Sequence, residues 1–390
     1  MEIKIKLKWN DENFIHRRTC MLMVTHACNL NCSYCYEAYK QNAYMDIDLA
    51  KKIICREAKF VENSNEFNEI EIDFMGGEPL MNFRLIKNIV EWLEEGAIEI
   101  PWVCFGTTNG TLLTDEVKDW LKHHKDSIIL SASYDGTDKM QFTNRGTEKH
   151  NIDLDFFYHL WPNQSLHMTI SKETLPTLAE GILDIQRRGY RVDVALAQGV
   201  NWTQEDAVLY RKQLSLLKDA YLNNTSLMPI NILRRYTYIS NLPTELDIQN
   251  KWCGTGRHMA AYDVDGQKYG CHMFTPLVLG EDKALLSESV DWSSLELTAD
   301  NYCRNCVLRN FCPTCLGFNY KYRGGIAIRD KRWCPMVLAE AMVATEFQVE
   351  RIAALDRLEK EDAEYAHAAL SAYHILKSMN IEKNQSPYMI

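Results

Sequence analysis

Residues 19–36 read Thr19-Cys-Met-Leu-Met-Val-Thr25-His-Ala-Cys28-Asn-Leu-Asn-Cys32-Ser-Tyr34-Cys35-Tyr36. An apolar run of strand character leads directly into a Cys-x3-Cys-x2-Cys triplet. Three thiolates this close together can hold three irons of a cubane cluster and leave the fourth iron open, because soft sulfur matches iron. An open iron is a place where a small molecule can bind and receive an electron. The alternative is a zinc knuckle. Zinc takes a fourth Cys or His, usually at short spacing. Residues 36–44 supply none, although His26 precedes the triplet.

Outward from the triplet, strand-like and helix-like segments alternate as far as about Asn223. The strand candidates are Thr19–Thr25, Glu69–Met75, Pro101–Thr108, Ser127–Tyr134, Ser165–Ile170 and Arg191–Ala197. Leu85, Ile86, Ile89, Val90 and Leu93 recur on one helical face, as do Val117, Trp120 and Leu121. A short helix is expected near Ile152–Leu160. Thr174 opens another and Gly189 closes it, since glycine accepts the left-handed position after a helix. Thr203-Gln-Glu-Asp206 resembles a capping box before a helix reaching Asn223. This alternation predicts a parallel sheet with right-handed crossovers. It puts the triplet at the C-terminal end of the first strand, where α/β sheets hold ligands. Six βα units are too few for a closed eight-stranded barrel. The expected fold is therefore α/β, a partial (β/α)6 TIM barrel.

After Ser226 the pattern changes. Cys253-x12-Gly266-x4-Cys271 is followed by Cys303-x2-Cys306-x5-Cys312-x2-Cys315-x18-Cys334, with few periodic segments. Loops tied by metal replace a hydrophobic core in such a stretch. The paired Cys-x2-Cys units also suit a zinc ribbon. Beyond Pro335, helices are expected over Met336–Leu358 and Ala363–Met379, with charged residues toward solvent. Cys20, Cys55 and Cys104 fit no ligand spacing and read as buried apolar thiols.

The chain has 390 residues, 46% of them apolar, and a net charge of −10 from 43 Lys and Arg against 53 Asp and Glu. That acidity argues against a nucleic-acid surface. No stretch approaches the ~18 apolar residues of a membrane span. The start, Met1 to Trp9, alternates like a strand and is no secretory signal. Thirteen cysteines in such a chain point to metal in a reducing compartment, the cytoplasm, rather than to disulfides.

The triplet, with Tyr34 just before its last cysteine, closely resembles the signature of the radical S-adenosylmethionine (SAM) enzymes. The second cysteine field resembles their SPASM extension, except that the Cys312–Cys315 gap is two residues where the family usually has three. The resemblance covers roughly residues 15–345. It implies three 4Fe–4S clusters. Cys28, Cys32 and Cys35 would hold the SAM-cleaving one. Cys303, Cys306, Cys312 and Cys334 would ligate one auxiliary cluster fully, while Cys253, Cys271 and Cys315 would leave an open iron on the other. It also implies SAM against Gly76-Gly77-Glu78-Pro79, with Tyr34, Asn109 and Ser133 among the residues around it. Arg145, in Asn144-Arg145-Gly146, could offer a cation to a carboxylate but reads rather as a solvated loop arginine. The implied organisation is an N-terminal strand (1–18), a radical SAM partial barrel (19–225), a SPASM domain (226–340) and a helical tail (341–390).

Radical SAM enzymes with SPASM domains mostly modify peptides or proteins. The resemblance therefore implies a maturase that installs a thioether or carbon–carbon cross-link in a ribosomally made peptide. An anaerobic sulfatase maturase forming formylglycine is the alternative. Those enzymes carry an extra cysteine at about the place of Met259 and an Asp, the proposed base, directly after the cysteine matching Cys271. This chain has His272 there. A histidine can serve as a base near neutral pH, or it can simply orient the cluster loop. A non-catalytic zinc or iron–sulfur binding or sensing protein is the third reading. The implied partners are a precursor peptide and a low-potential donor such as flavodoxin or ferredoxin. Cys28 lies too near Met1 for a leader-binding winged helix, so any leader recognition is expected from a separate leader-binding protein, the barrel rim or the helical tail after Pro335. No nucleic-acid or membrane partner is expected.

Overall fold

The structure, a computed structural model, describes residues 16–147, 151–235, 253–292, 303, 306–308, 312, 314–355 and 363–378. The strand expected near the N-terminus lies outside these residues as far as residue 15.

All six expected strands are present: β1 (Arg17–Thr25), β2 (Glu69–Gly76), β3 (Trp102–Thr108), β4 (Ile128–Ala132), β5 (Leu166–Ile170) and β6 (Val192–Leu196). The helices among them are α1 (Ile47–Glu62), α2 (Phe83–Glu94), α3 (Asp115–His123), α4 (Asp138–Arg145), α5 (Leu154–Leu160), α6 (Leu178–Arg187) and α7 (Gln204–Asn223). The fold class is α/β, as the alternation implies. The chain divides into two compact units, one of residues 11–167 and 253–294, the other of residues 1–10, 168–252 and 295–390.

In the first unit β1 to β4 are parallel neighbours in the order β4-β3-β2-β1. Local chemistry sets the helix ends. The Asp46 carboxylate accepts from the Asp48 and Leu49 amides at the start of α1. Thr114 caps α3 and Thr137 caps α4, which Gly146 ends at φ +65°. The alternation along each strand sorts its side chains between two faces. Leu22, Ile72, Phe74, Cys104 and Ile128 are fully buried. Burying one such apolar side chain is worth about 1.5–3 kcal/mol. Their face of the sheet carries α1, because Arg18, which shares it with Leu22, donates from Nε to the α1 carboxylate of Glu57 at 2.8 Å. Glu57 also accepts from the Tyr262 hydroxyl.

That tyrosine belongs to an element with no periodic signature. β7 (Met259–Tyr262) lies parallel to β1, and β8 (Lys268–Tyr269) pairs antiparallel with β7. Part of the second cysteine field therefore completes the sheet. Four residues are too few to show a period. The legible signal was the Asp265-Gly266 turn, with Gly266 at φ +86°, which marks a hairpin.

In the second unit the capping box of α7 is complete: Thr203 Oγ1 accepts from the Asp206 amide, and the Asp206 carboxylate accepts from the Thr203 amide at 2.8 Å. β5 and β6 pair as a separate two-stranded sheet. A one-turn helix (Asn231–Arg234) and three longer ones follow: α8 (Leu316–Arg323), α9 (Cys334–Ala353) and α10 (Ala363–Lys377). The expected solvent face of α9 is not observed over its first half. Residues from Met336 to Thr345 are all buried, because α9 packs against both α7 and α10. Glu340 is tolerated inside because its carboxylate accepts from the Tyr210 hydroxyl at 2.9 Å and from Arg235 at 3.1 Å. No helix among the described residues is long and apolar enough to cross a membrane.

Candidate functional site

β1 delivers the chain into a long loop, and the loop is closed on itself by local bonds. The Thr25 hydroxyl donates to the Ala43 carbonyl at 2.8 Å, and the His26 amide donates to the same oxygen at 2.9 Å. The His26 ring is buried, with Nδ1 against the Gln41 amide nitrogen at 2.9 Å and Nε2 against Asp263 at 2.6 Å. Both ring nitrogens are thus occupied, which removes His26 as a fourth ligand for zinc. Lys40 Nζ donates to the Leu30 carbonyl at 3.2 Å.

Within this loop Cys28, Cys32 and Cys35 are each part-exposed. Burial pushes the Cys32 thiol up to about 11, against the opposing pull of the Arg145 guanidinium, and Cys32 also senses Cys35 and Cys28. Burial raises Cys28 as well. Three soft donors in one partly open loop, beside a cation, are a donor set that fits an iron–sulfur cluster with one iron unligated by protein.

The sequence reading missed what holds this loop. Tyr34 donates from its hydroxyl to the Asp135 carboxylate at 2.6 Å. Arg145 pairs with the same carboxylate, Nε to Oδ2 at 2.9 Å and Nη2 to Oδ1 at 3.3 Å, and Asn144 adds a bond of 3.2 Å. Arg145 also lies over the Tyr34 ring, 5.4 Å from its centroid. The Ser33 amide donates to the Asn144 carbonyl at 2.8 Å. Arg145 is 8% exposed and Asp135 0%, so Arg145 is not a solvated loop arginine. The Asp-Gly turn after β4 and the end of α4 bring the charges together.

Gly76, Gly77 and Glu78 end β2 against the start of the loop. The Gly77 amide donates to the Thr25 carbonyl and the Glu78 amide to the Ala27 carbonyl. A Cβ on Gly76, at φ +150°, would lie 2.2 Å from the Thr25 oxygen; one on Gly77 would lie 2.4 Å from the Ala27 oxygen and 2.9 Å from the Cys28 Cβ. Only glycines allow this approach. Gly77→Ala is therefore expected to push the cysteine loop away and lower iron at the triplet site, read as iron per chain after anaerobic reconstitution.

Glu78 points into the fold. Its carboxylate accepts from Thr108 Oγ1 at 2.6 Å, the Asn109 amide at 2.7 Å and the Leu80 amide at 3.1 Å, which joins the ends of β2 and β3. Asn109 reaches back to the cysteine loop, donating to Asn29 Oδ1 at 2.9 Å. Ser133 is buried, and its amide donates to the Thr108 carbonyl at 2.8 Å. Tyr34, Glu78, Asn109 and Ser133 thus belong to one bonded rim around the triplet.

Cys271 is buried and Cys253 is exposed in the first unit. His272 follows Cys271, its Nε2 3.3 Å from the Tyr36 hydroxyl on the cysteine loop. Its Nδ1 is buried without a partner among the described residues. Burial lowers His272 to about 4, so the ring is neutral at physiological pH and a weaker base than an ordinary histidine. In the second unit Cys303, Cys306, Cys312, Cys315 and Cys334 line one cavity with Arg329 and Trp333. Cys315 stands at the start of α8 and Cys334 begins α9. Burial pushes the Cys312 thiol up to about 12, opposed by Arg329, and it senses Cys334, Cys303 and Cys306. Cys20 and Cys104 are buried thiols as read; Cys55 is only half-buried.

The family described as 4Fe-4S single cluster domain matches residues 17–153. An uncharacterised protein of Methanocaldococcus jannaschii is 37% identical over 116 residues, 30% of this chain and 38% of that protein. The chain thus spans less than half the length of that relative. The radical SAM cyclopropyl synthase TigE of Paramaledivibacter caminithermalis is 23% identical over 360 residues, 82% of this chain and 72% of the synthase. Among solved structures, native anSMEcpe with bound AdoMet superposes with a TM-score of 0.63 at 14% identity, covering 87% of this chain and all of that one. Streptococcus suis SuiB bound to precursor peptide SuiA superposes at 0.56 and 17%, covering 81% and 76%. The chain thus carries a 4Fe-4S single cluster domain over residues 17–153, resembles a radical SAM synthase over most of its length, and shares its fold with anSMEcpe and SuiB.

Proposed function

We propose that the chain is a radical SAM maturase that oxidises a ribosomally made peptide, leaving a thioether or carbon–carbon cross-link. The observation that carries this reading is the cysteine loop at the C-terminal end of a parallel sheet, cradled by Gly76 and Gly77. Cys28, Cys32 and Cys35 would hold three irons of the cluster. When bound, that cluster and SAM supply reductive cleavage of SAM and, with it, a radical able to abstract hydrogen from an unactivated carbon. The protein's part is to bind, orient and exclude water. Glu78 and Asn109 keep the rim closed, and the Tyr34–Asp135–Arg145 network fixes the loop. The cysteines of the second field would hold two auxiliary clusters, for three in all. An electron donor such as flavodoxin or ferredoxin and a separate leader-binding protein complete the proposal.

A peptide product is supported by two things: SuiB is described with a precursor peptide, and this chain has His272 rather than an Asp after Cys271. The test is anaerobic incubation of reconstituted protein with SAM, dithionite and the short Cys-, aromatic- or Asp-rich peptide encoded by a neighbouring gene. The expected product has lost two hydrogens per link, with 5′-deoxyadenosine formed alongside. Efficient conversion of Cys-x-Pro-x-Arg peptides to formylglycine would establish the sulfatase reading instead. Absence of SAM cleavage, with stable zinc bound, would establish the non-catalytic one.

A further inference from the structure

On the sheet face turned away from α1, one buried carboxylate oxygen has no hydrogen-bond partner among the described residues. β1 and β2 pair Met21 with Asp73, and β2 and β3 pair Asp73 with Phe105, so these three side chains share that face. Met75 and Ile129 share it too, and Met75, Phe105 and Ile129 are only half-buried. Asp73 lies between them at 7% exposure, and its Oδ1 is buried with no hydrogen-bond partner among the described residues. Leaving a buried polar oxygen unpaired costs about 1–3 kcal/mol. The neighbouring carboxylates do not share this isolation, since Glu69 and Glu71 both pair with Arg17. Met21, Met75, Phe105 and Ile129 thus surround one unpaired carboxylate oxygen, while Thr19 and Glu71 on the same face engage each other and Arg17. Apolar walls with a few placed polar groups are the usual make-up of a small binding site.

We propose that Asp73 binds the substrate, its unpaired carboxyl pairing with a backbone amide of an extended peptide laid on this face. The inference rests on the peptide reading above. An apolar floor disfavours a charge unless a counter-charge reaches it. Burial, and then the nearby Glu71, push the Asp73 carboxyl well above the ordinary carboxyl range, which favours its protonated form. A protonated carboxyl offers one donor and one acceptor, the complement of a peptide N–H and C=O. Asp73 lies three residues before Gly76, roughly 10 Å along the strand at about 3.3 Å per residue. A chain held there is within reach of the cysteine loop.

The probe is acetyl-pentaalanine amide, titrated calorimetrically into the reconstituted anaerobic protein, with its depsipeptide (an ester in place of one amide) as control. Asp73→Asn keeps a neutral donor and acceptor and should bind within about threefold of wild type. Asp73→Leu should bind at least about tenfold more weakly, a loss of about 1.4 kcal/mol, with melting temperature equal or higher because an unpaired polar group is gone. If Asp73→Leu fails to fold, the infrared carbonyl band present in wild type and missing from Asp73→Asn should still shift when the peptide binds. Equal binding by all three proteins, no binding by wild type, or a band that does not move would overturn the inference. The precursor-peptide mass test above judges the peptide reading separately, so the two can fail independently.

Discussion

Replacing Cys28, Cys32 and Cys35 together with alanine is expected to abolish 5′-deoxyadenosine formation while leaving the chain folded. The loss follows from the donor set: without the three thiolates nothing in the loop can hold the iron that SAM needs. Retention of the fold follows from what anchors the loop. Thr25, His26, Tyr34 and Ser33 make its bonds to Ala43, Asp263, Asp135 and Asn144, and none of these uses a thiol. If two auxiliary clusters form independently, iron should fall to about eight of twelve per chain, each cluster contributing about four. Iron and sulfide analysis, with circular dichroism, gives both answers. Undiminished SAM cleavage by the triple variant would remove the triplet from the reaction altogether. A stable zinc content with only about four irons in wild type would refute the auxiliary clusters in favour of a zinc ribbon.

The second large effect should come from the buried pair Asp135–Arg145. Asp135→Asn removes the carboxylate that Arg145 pairs with, and Arg145→Met removes the guanidinium from Asp135, which keeps its bonds from Tyr34 and Asn144. Breaking a buried pair from one side costs about 3–5 kcal/mol, whereas replacing both partners by apolar groups is often nearly neutral. The double variant Asp135→Leu with Arg145→Met should therefore recover much of the single-variant loss. Because the chain has two compact units, one melting temperature need not report this. Native-state hydrogen exchange at the amides of Ser33 and Cys35, which donate to Asn144 and Cys32, reads the local opening directly. Single variants costing under about 1 kcal/mol, near the value of an exposed pair, would show that the glycine cradle and the Thr25–Ala43 bonds hold the loop without this network.

Periodicity and spacing determined a great deal. The six strands fall within two residues of where alternation puts them, because burial of a strand face leaves its mark on adjacent residues of the same chain. The Thr203–Asp206 capping box is likewise complete within four residues. The cysteine spacings are local too, and Cys28, Cys32 and Cys35 occupy one loop as their interval requires. What the tertiary structure alone decided involves partners far apart in the chain. Arg145 is a buried anchor only because Asp135 and Tyr34 reach it, and Tyr34 and Asp135 are separated by 101 residues. His272 loses basicity only because the fold buries it. β7 joins the sheet beside β1 across more than two hundred residues, and Glu340 can sit inside only because Tyr210, 130 residues away, bonds to it. Sequence patterns record which faces are apolar. Whether a given charge is buried and paired depends on which distant side chains the fold brings against it, and that sets the energy of the charge.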